Sequence, residues 1–213
     1  HVGRISHDSL QPNGGKPVAP SAIRAKGKTF VNGTFTDISE PRALELSEIP
    51  GIIEDFKRAT ENALAAGFDG VEIHGANGYL LDQFRCPFLN DRKDEYGGSL
   101  ENRCRLHLEI AREVAAAVGK ERVGIRLSPH GQANDMRPDP EPMATYGYLA
   151  EELQKLGLVY LHLYDQSTSW IHDPDDALLR LIRAKFTNAL MLCGGFTGNK
   201  AEAALATGSG DLI

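Results

Sequence analysis

The feature that most constrains this chain is its rhythm. Short apolar or β-branched runs alternate with amphipathic stretches, and glycines punctuate the joins. Such alternation calls for a parallel sheet, because parallel neighbours must be joined by long crossovers. Strand signatures begin near residues 71, 123, 159, 189 and 211, about 35 residues apart. Between them run helical stripes. Ser47 reads as the N-cap of the first, which carries Ile52, Ile53, Phe56, Ala59 and Ala63 and stops at Gly67. Ser99 caps a second, with Cys104, Leu108, Ala111, Ala115 and Val118, closed by Gly119. A third carries Tyr146, Leu149, Leu153 and Leu156 and ends at Gly157. Ala177, Leu178, Leu181 and Ile182 mark a fourth, and residues 201–206 a short fifth. The first 45 residues are rich in Pro and Gly and read as loop. Within them Asn32-Gly33 predicts a tight hairpin turn, in an excursion spanning 23–40.

Length then selects the architecture. A closed (β/α)8 barrel takes about 250 residues, and eight units at this spacing would exceed the 213 available. An incomplete barrel or an open doubly wound sheet would fit. No G-x-G-x-x-G follows any strand, so a Rossmann reading lacks its phosphate loop.

Composition removes several function classes. A net charge of −6 argues against nucleic-acid and membrane-surface partners, which favour a basic face. No apolar run approaches the roughly 18 residues of a membrane span. Cys86, Cys104 and Cys193 are far apart, with no C-x-x-C pair. A disulfide framework, a structural metal site and an iron–sulfur cluster are therefore not expected. Reduced thiols and the absence of a signal-peptide pattern point to a cytoplasmic protein. The first methionine is Met136, so the chain is expected to be a piece of a longer polypeptide.

Strand alternation sorts side chains between the two faces of the sheet. With Val71 and Ile73 against the helices, Glu72 and His74 face inward. The next strand turns Val123, Ile125 and Leu127 outward and Gly124, Arg126 and Ser128 inward. The third turns Tyr160, His162 and Tyr164 inward. Polar groups thus gather near the C-terminal ends of the strands, where barrel active sites lie. Glu72 and Arg126 could form an ion pair filling the lumen, or Arg126 could neutralise a bound anion or electron-rich ring. The run His74-Gly75-Ala76-Asn77-Gly78-Tyr79 offers two donors for one carbonyl oxygen and a nearby phenol as proton source. Gly194-Gly195, between a strand and a helix, offers backbone N–H groups suited to a phosphate, or a simple turn. Lys57, Lys120, Lys155, Lys185 and Lys200 fall in helices or at their ends, none at the end of a strand, and no strand carries His-x-His. A Schiff-base aldolase and a metal-dependent hydrolase are thereby disfavoured.

Several stretches together carry a family resemblance. They are H-V-G-R at 1–4, P-V-A-P-S-A at 17–22 and S-E-P-R-A-L at 39–44. They continue with G-F-D-G-V-E-I-H-G-A-N-G-Y-L-L-D-Q-F at 67–84 and N-D-R-K-D-E-Y-G-G-S-L-E-N-R at 90–103. G-I-R-L-S-P at 124–129, Y-L-H-L at 160–163 and G-G-F-T at 194–197 complete the set. In this order the chain resembles the old yellow enzyme family of FMN-dependent ene-reductases, which includes oxophytodienoate and N-ethylmaleimide reductases.

The resemblance implies a (β/α)8 barrel with FMN at its C-terminal mouth and NADPH or NADH as reductant. It implies a small electrophilic alkene as substrate. His74 and Asn77 match the pair that binds the substrate's carbonyl or nitro oxygen, and Tyr79 matches the proton donor. Arg126 matches the arginine beside flavin N1 and O2, and Gly194 and Gly195 match backbone near the FMN phosphate. On this alignment residues 1–213 form a partial barrel, from the end of the third strand to the start of the eighth. The family's first two strands and its eighth-strand G-R pair have no counterpart. The loop Arg85-Cys86-Pro87-Phe88-Leu89 departs from the usual Gly- and Ser-containing sequence, which bears on substrate preference. Trp170, after the sixth strand, could lie over the active site, but segment 165–175 has no firm motif match and a lone Trp more often packs. A second reading, from a different class, is a catalytically inactive, incomplete barrel that binds no flavin.

Overall fold

The computed structural model describes residues 1–165, 171, 173 and 176–213; Trp170 lies outside them. The fold is α/β, an incomplete (β/α)8 barrel. Its centre is a four-stranded parallel sheet of β5 (Val71–His74), β6 (Val123–Leu127), β7 (Tyr160–Tyr164) and β8 (Ala189–Cys193) in chain order. Residue Leu212 adds a parallel bridge to Met191, the beginning of a further strand.

Each parallel step is made by a helix: α3 (Leu100–Val118), α4 (Pro142–Leu156) and α5 (Ala177–Lys185). They pack side by side on one face of the sheet, α1 (Ile49–Ala65) on α3, α3 on α4 and α4 on α5. Ile73, Ile125, Leu161, Leu163, Leu190 and Leu192 project into this layer against Leu106, Ile110, Leu149, Leu153 and Ile182, all in one buried cluster. The alternation that assigns the outward face from sequence therefore holds. At roughly 1.5–3 kcal/mol per fully buried aliphatic side chain, this layer is the main source of cohesion. The last helix, α6 (Gly198–Ala206), follows β8.

Helix ends follow local chemistry. Ser99 Oγ accepts from the Asn102 N–H and starts α3. Gly157, in the left-handed region, closes α4. Ser47 is not the cap of α1. Glu45 and Glu48 make a reciprocal capping box around a short 3-10 turn, Leu46–Glu48, and α1 begins at Ile49 with Pro50 in its first turn. A glutamate pair outcompetes serine here because each carboxylate can satisfy a free N–H.

The N-terminal segment lies against the sheet's C-terminal end. Two short strands, β1 (Val18–Ala19) and β4 (Arg42–Ala43), pair in parallel, and β2 (Lys28–Val31) and β3 (Thr34–Asp37) form a hairpin around Asn32-Gly33. Arg4 pins this region. Its buried guanidinium donates to the carbonyls of Ile23, Asn134 and Asp135 at 3.3, 3.2 and 2.9 Å. Among the described residues no helix is long and apolar enough to cross a membrane.

Candidate active site

Sheet register brings the inward residues into rows. Glu72, Gly124, Tyr160 and Ala189 form one row, and His74, Arg126, His162 and Met191 the next. Tyr160 lies across Gly124, where any Cβ would overlap its ring. Of the two readings left open for Glu72 and Arg126, the ion pair does not form as a contact among the described residues. Glu72 Oε2 instead bonds His162 Nδ1 at 2.8 Å. The lateral offset between strands puts His162 within reach, and Arg126 turns upward to lie over the Tyr164 ring, 4.1 Å from its centroid. Burial alone would raise the Glu72 carboxyl. The His162 hydrogen bond, with the Tyr160 hydroxyl and the Arg126 charge nearby, reverses this and leaves it lowered. The same burial and the Glu72 carboxylate push the Tyr160 phenol up to about 12.

His74 ends β5 and Arg126 is its register partner on β6. Burial and the Arg126 charge lower the His74 pKa, so its ring is neutral at pH 7 and carries one N–H. His74 Nε2 and Arg126 Nε are both buried and, among the described residues, have no hydrogen-bond partner. His162 Nε2, in the same row, is a third, and orphaned nitrogens gathered on one face cost free energy unless a ligand supplies partners. Tyr79 stands beside His74 with ring centroids 5.3 Å apart. It packs on Ile5, Ala25 and Ile38, so the N-terminal excursion helps place the phenol.

Asn77 follows His74 in a loop most of whose backbone polar groups are bound. Gly75 N–H donates to the Arg126 carbonyl at 3.0 Å, and the Gly75 carbonyl lies 3.3 Å from His107 Nε2. Gly78 must be glycine, since a Cβ there would sit 2.6 Å from the Ala133 carbonyl oxygen. The structure thus brings His74, Asn77, Tyr79 and Arg126 together at the end of β5 and β6. Gly194 and Gly195 stand at the end of β8, whose Cys193 Sγ is 3.9 Å from Arg126 Nη2. Gly194 adopts φ 140°, and a Cβ would collide with the Asp165 carbonyl oxygen, so close backbone approach already requires glycine there.

The chain matches one family over residues 1–213. It belongs to the NADH:flavin oxidoreductase / NADH oxidase family. It is 42% identical over 222 residues to 12-oxophytodienoate reductase 2 of Arabidopsis thaliana, covering all of this chain and 58% of that protein. It is 41% identical over 230 residues to 12-oxophytodienoate reductase 7 of Oryza sativa subsp. japonica, again over the whole chain and 58% of the relative. Among solved structures it superposes on morphinone reductase in complex with tetrahydroNAD with a TM-score of 0.91 at 43% identity, covering 100% of this chain and 59% of that one. The old yellow enzyme homologue from Zymomonas mobilis gives 0.91 at 38% identity, over 100% and 60%. The chain therefore spans about three-fifths of the length of these relatives.

Motifs alone give no role to Asp82, although it lies within the 67–84 stretch, nor to Asn134, nor to the guanidinium contact of Tyr164. Strand alternation turns Tyr164 inward, and that phase is the available signal. Asp82 lies in α2 (Leu80–Arg85), where all six residues are buried. A helix buried on every side shows no apolar stripe to betray it.

Proposed function

We propose that the protein carrying this chain is an FMN-dependent reductase of activated alkenes, with NADH or NADPH as reductant. The observation that carries the reading is the orphaned pair, His74 Nε2 and Arg126 Nε, at register positions beside the Tyr79 phenol. Such donors fit a polar, electron-rich ring and a substrate carbonyl. Arg126 would hold FMN through its ring, and Gly194 and Gly195 through its phosphate. When bound, FMN supplies the hydride that the alkene's β-carbon receives.

The chain's own residues do the rest. His74 and Asn77 each donate to the substrate's carbonyl or nitro oxygen. Negative charge developing there is stabilised by donors already in place, which makes the β-carbon electrophilic. Loss of one donor should cost about 3 kcal/mol in the transition state, by analogy with oxyanion holes. Tyr79 delivers the proton to the α-carbon. Names of relatives support the substrate class: oxophytodienoate and morphinone are both carbonyl compounds.

A second reading rests on the sheet itself. Among the described residues β5 has only β6 as neighbour, and β8 has only β7 and the Leu212 bridge. An open edge of this kind would leave a flavin site incomplete. An FMN titration of the 213-residue chain, followed by visible absorbance and gel filtration, separates the two. A monodisperse, FMN-loaded species that, under anaerobic conditions, oxidises NADPH or NADH catalytically only when cyclohexenone is present supports the reductase. Absence of flavin binding favours the second reading for this chain alone.

A further inference from the structure

We propose that Ser128 and Asp82 are positioning residues for the substrate clamp, acting on its backbone; the proposal rests on the roles given above to His74, Asn77 and Tyr79. Two consecutive residues of the clamp loop, Asn77 at φ 59° and Gly78 at φ 74°, are left-handed. For asparagine that conformation is uncommon, and it persists only where surrounding contacts hold it.

Here the contacts are complete. Asn77 N–H donates to Ser128 Oγ at 2.8 Å, and Gly78 N–H donates to Asp82 Oδ2 at 2.9 Å. The Asn77 carbonyl accepts from Asn134 Nδ2 at 2.8 Å, and the Gly78 carbonyl from Gln83 Nε2 at 2.7 Å. Directions are fixed by chemistry. A carboxylate only accepts, so the Ser128 hydroxyl, 3.4 Å from Asp82 Oδ2, spends its proton there and turns a lone pair to Asn77.

Asp82 is itself immobilised. Its Oδ1 receives Arg85 Nε at 2.9 Å and Nη2 at 2.7 Å, and Arg85 reaches Asp139 at 2.5 Å. The three side chains are 1%, 2% and 0% exposed. A buried ion chain is a poor source of stability compared with apolar packing. What it supplies here is a fixed negative oxygen under the Gly78 N–H. The Asn77 side chain leaves the backbone at this kink, so rotating either peptide swings its amide away from the substrate oxygen. A misplacement of about 1 Å can cost about a hundredfold in rate.

The test uses Ser128→Ala, Asp82→Asn and Ser128→Thr. Asparagine at 82 can keep its oxygen on Arg85 but then turns an NH₂ toward the Gly78 N–H. The first readout is amide exchange at Asn77 and Gly78 in the 213-residue chain without added cofactor. Exchange is expected about tenfold faster at Asn77 in Ser128→Ala, with protection in β6–β8 unchanged. The second readout is anaerobic reoxidation by cyclohexenone of the FMN-loaded protein reduced with dithionite. A fall of about tenfold to a hundredfold is expected, with FMN affinity retained and the rate restored in Ser128→Thr. Unchanged exchange and unchanged reoxidation would overturn the proposal. Loss of FMN affinity or of core protection together with the rate would also overturn it, because the residues would then be structural only. A wild-type protein that binds FMN but reoxidises equally with and without cyclohexenone overturns the reaction itself, and the clamp role with it.

Discussion

His107 should make stability depend on pH in a defined window. It sits in α3, fully buried, with Nε2 facing the Gly75 carbonyl. Burial pushes its pKa from 6.5 down to about 4, against opposing pulls from the Asp82 charge and the Gly75 carbonyl. The unfolded chain takes up a proton near pH 6.5 while the folded chain refuses it until about 4. Below pH 6.5 the unfolded state therefore binds more protons, and stability falls as pH falls. At about 1.4 kcal/mol per unit, the full loss is about 3 kcal/mol by pH 4. Other groups titrate in the same range, so the contribution is isolated by difference. His107→Gln keeps an amide donor for Gly75 but cannot titrate. Urea unfolding of both chains at pH 7, 6, 5 and 4.5 should show the wild type losing its advantage progressively below pH 6.5. A difference that stays constant across that range would refute the reasoning.

Three further outcomes follow from the site. In the FMN-loaded protein, Tyr79→Phe should leave flavin reduction by NADPH or NADH intact and slow alkene reduction about a hundredfold or more; equal slowing of both half-reactions in stopped-flow traces would remove the phenol as proton donor. Arg126→Ala should weaken FMN binding at least tenfold by fluorescence titration, and an unchanged Kd would take Arg126 out of the flavin site. Gly78→Ala should lower unfolding free energy by at least about 1–2 kcal/mol, from left-handed strain and from crowding against the Ala133 carbonyl; an unchanged urea midpoint would contradict that.

Much of this was legible in the residues. The apolar phase of Ile73, Ile125 and Leu161 assigns one face of each strand to the helices, and the remaining face to the site. His74, Asn77 and Tyr79 are close in sequence, His74 at the end of β5 and the other two in the turn that leads to α2. Less legible were facts set by lateral register or by partners far along the chain. Glu72 bonds His162 because β5 and β7 approach across Gly124, whose missing side chain no strand pattern interprets. The pairing of Val18–Ala19 with Arg42–Ala43 is too short to leave a periodic trace. Serine propensity alone places the α1 start at Ser47, whereas Glu45 and Glu48 cap reciprocally and win that competition.

The bond from Gly78 N–H to Asp82 also bears on chemical ageing. Asparagine followed by glycine deamidates when the glycine nitrogen attacks the asparagine side-chain carbon. The chain holds three such dipeptides: Asn13-Gly14, Asn32-Gly33 and Asn77-Gly78. The first two lie exposed in turns. At the third, the attacking nitrogen is held by a carboxylate and both flanking carbonyls are fixed. Peptide mapping after prolonged incubation should find aspartate and isoaspartate at 13 and 32 well before 77. The residue whose conversion would replace a hydrogen-bond donor with a negative charge is the one the fold keeps from aging.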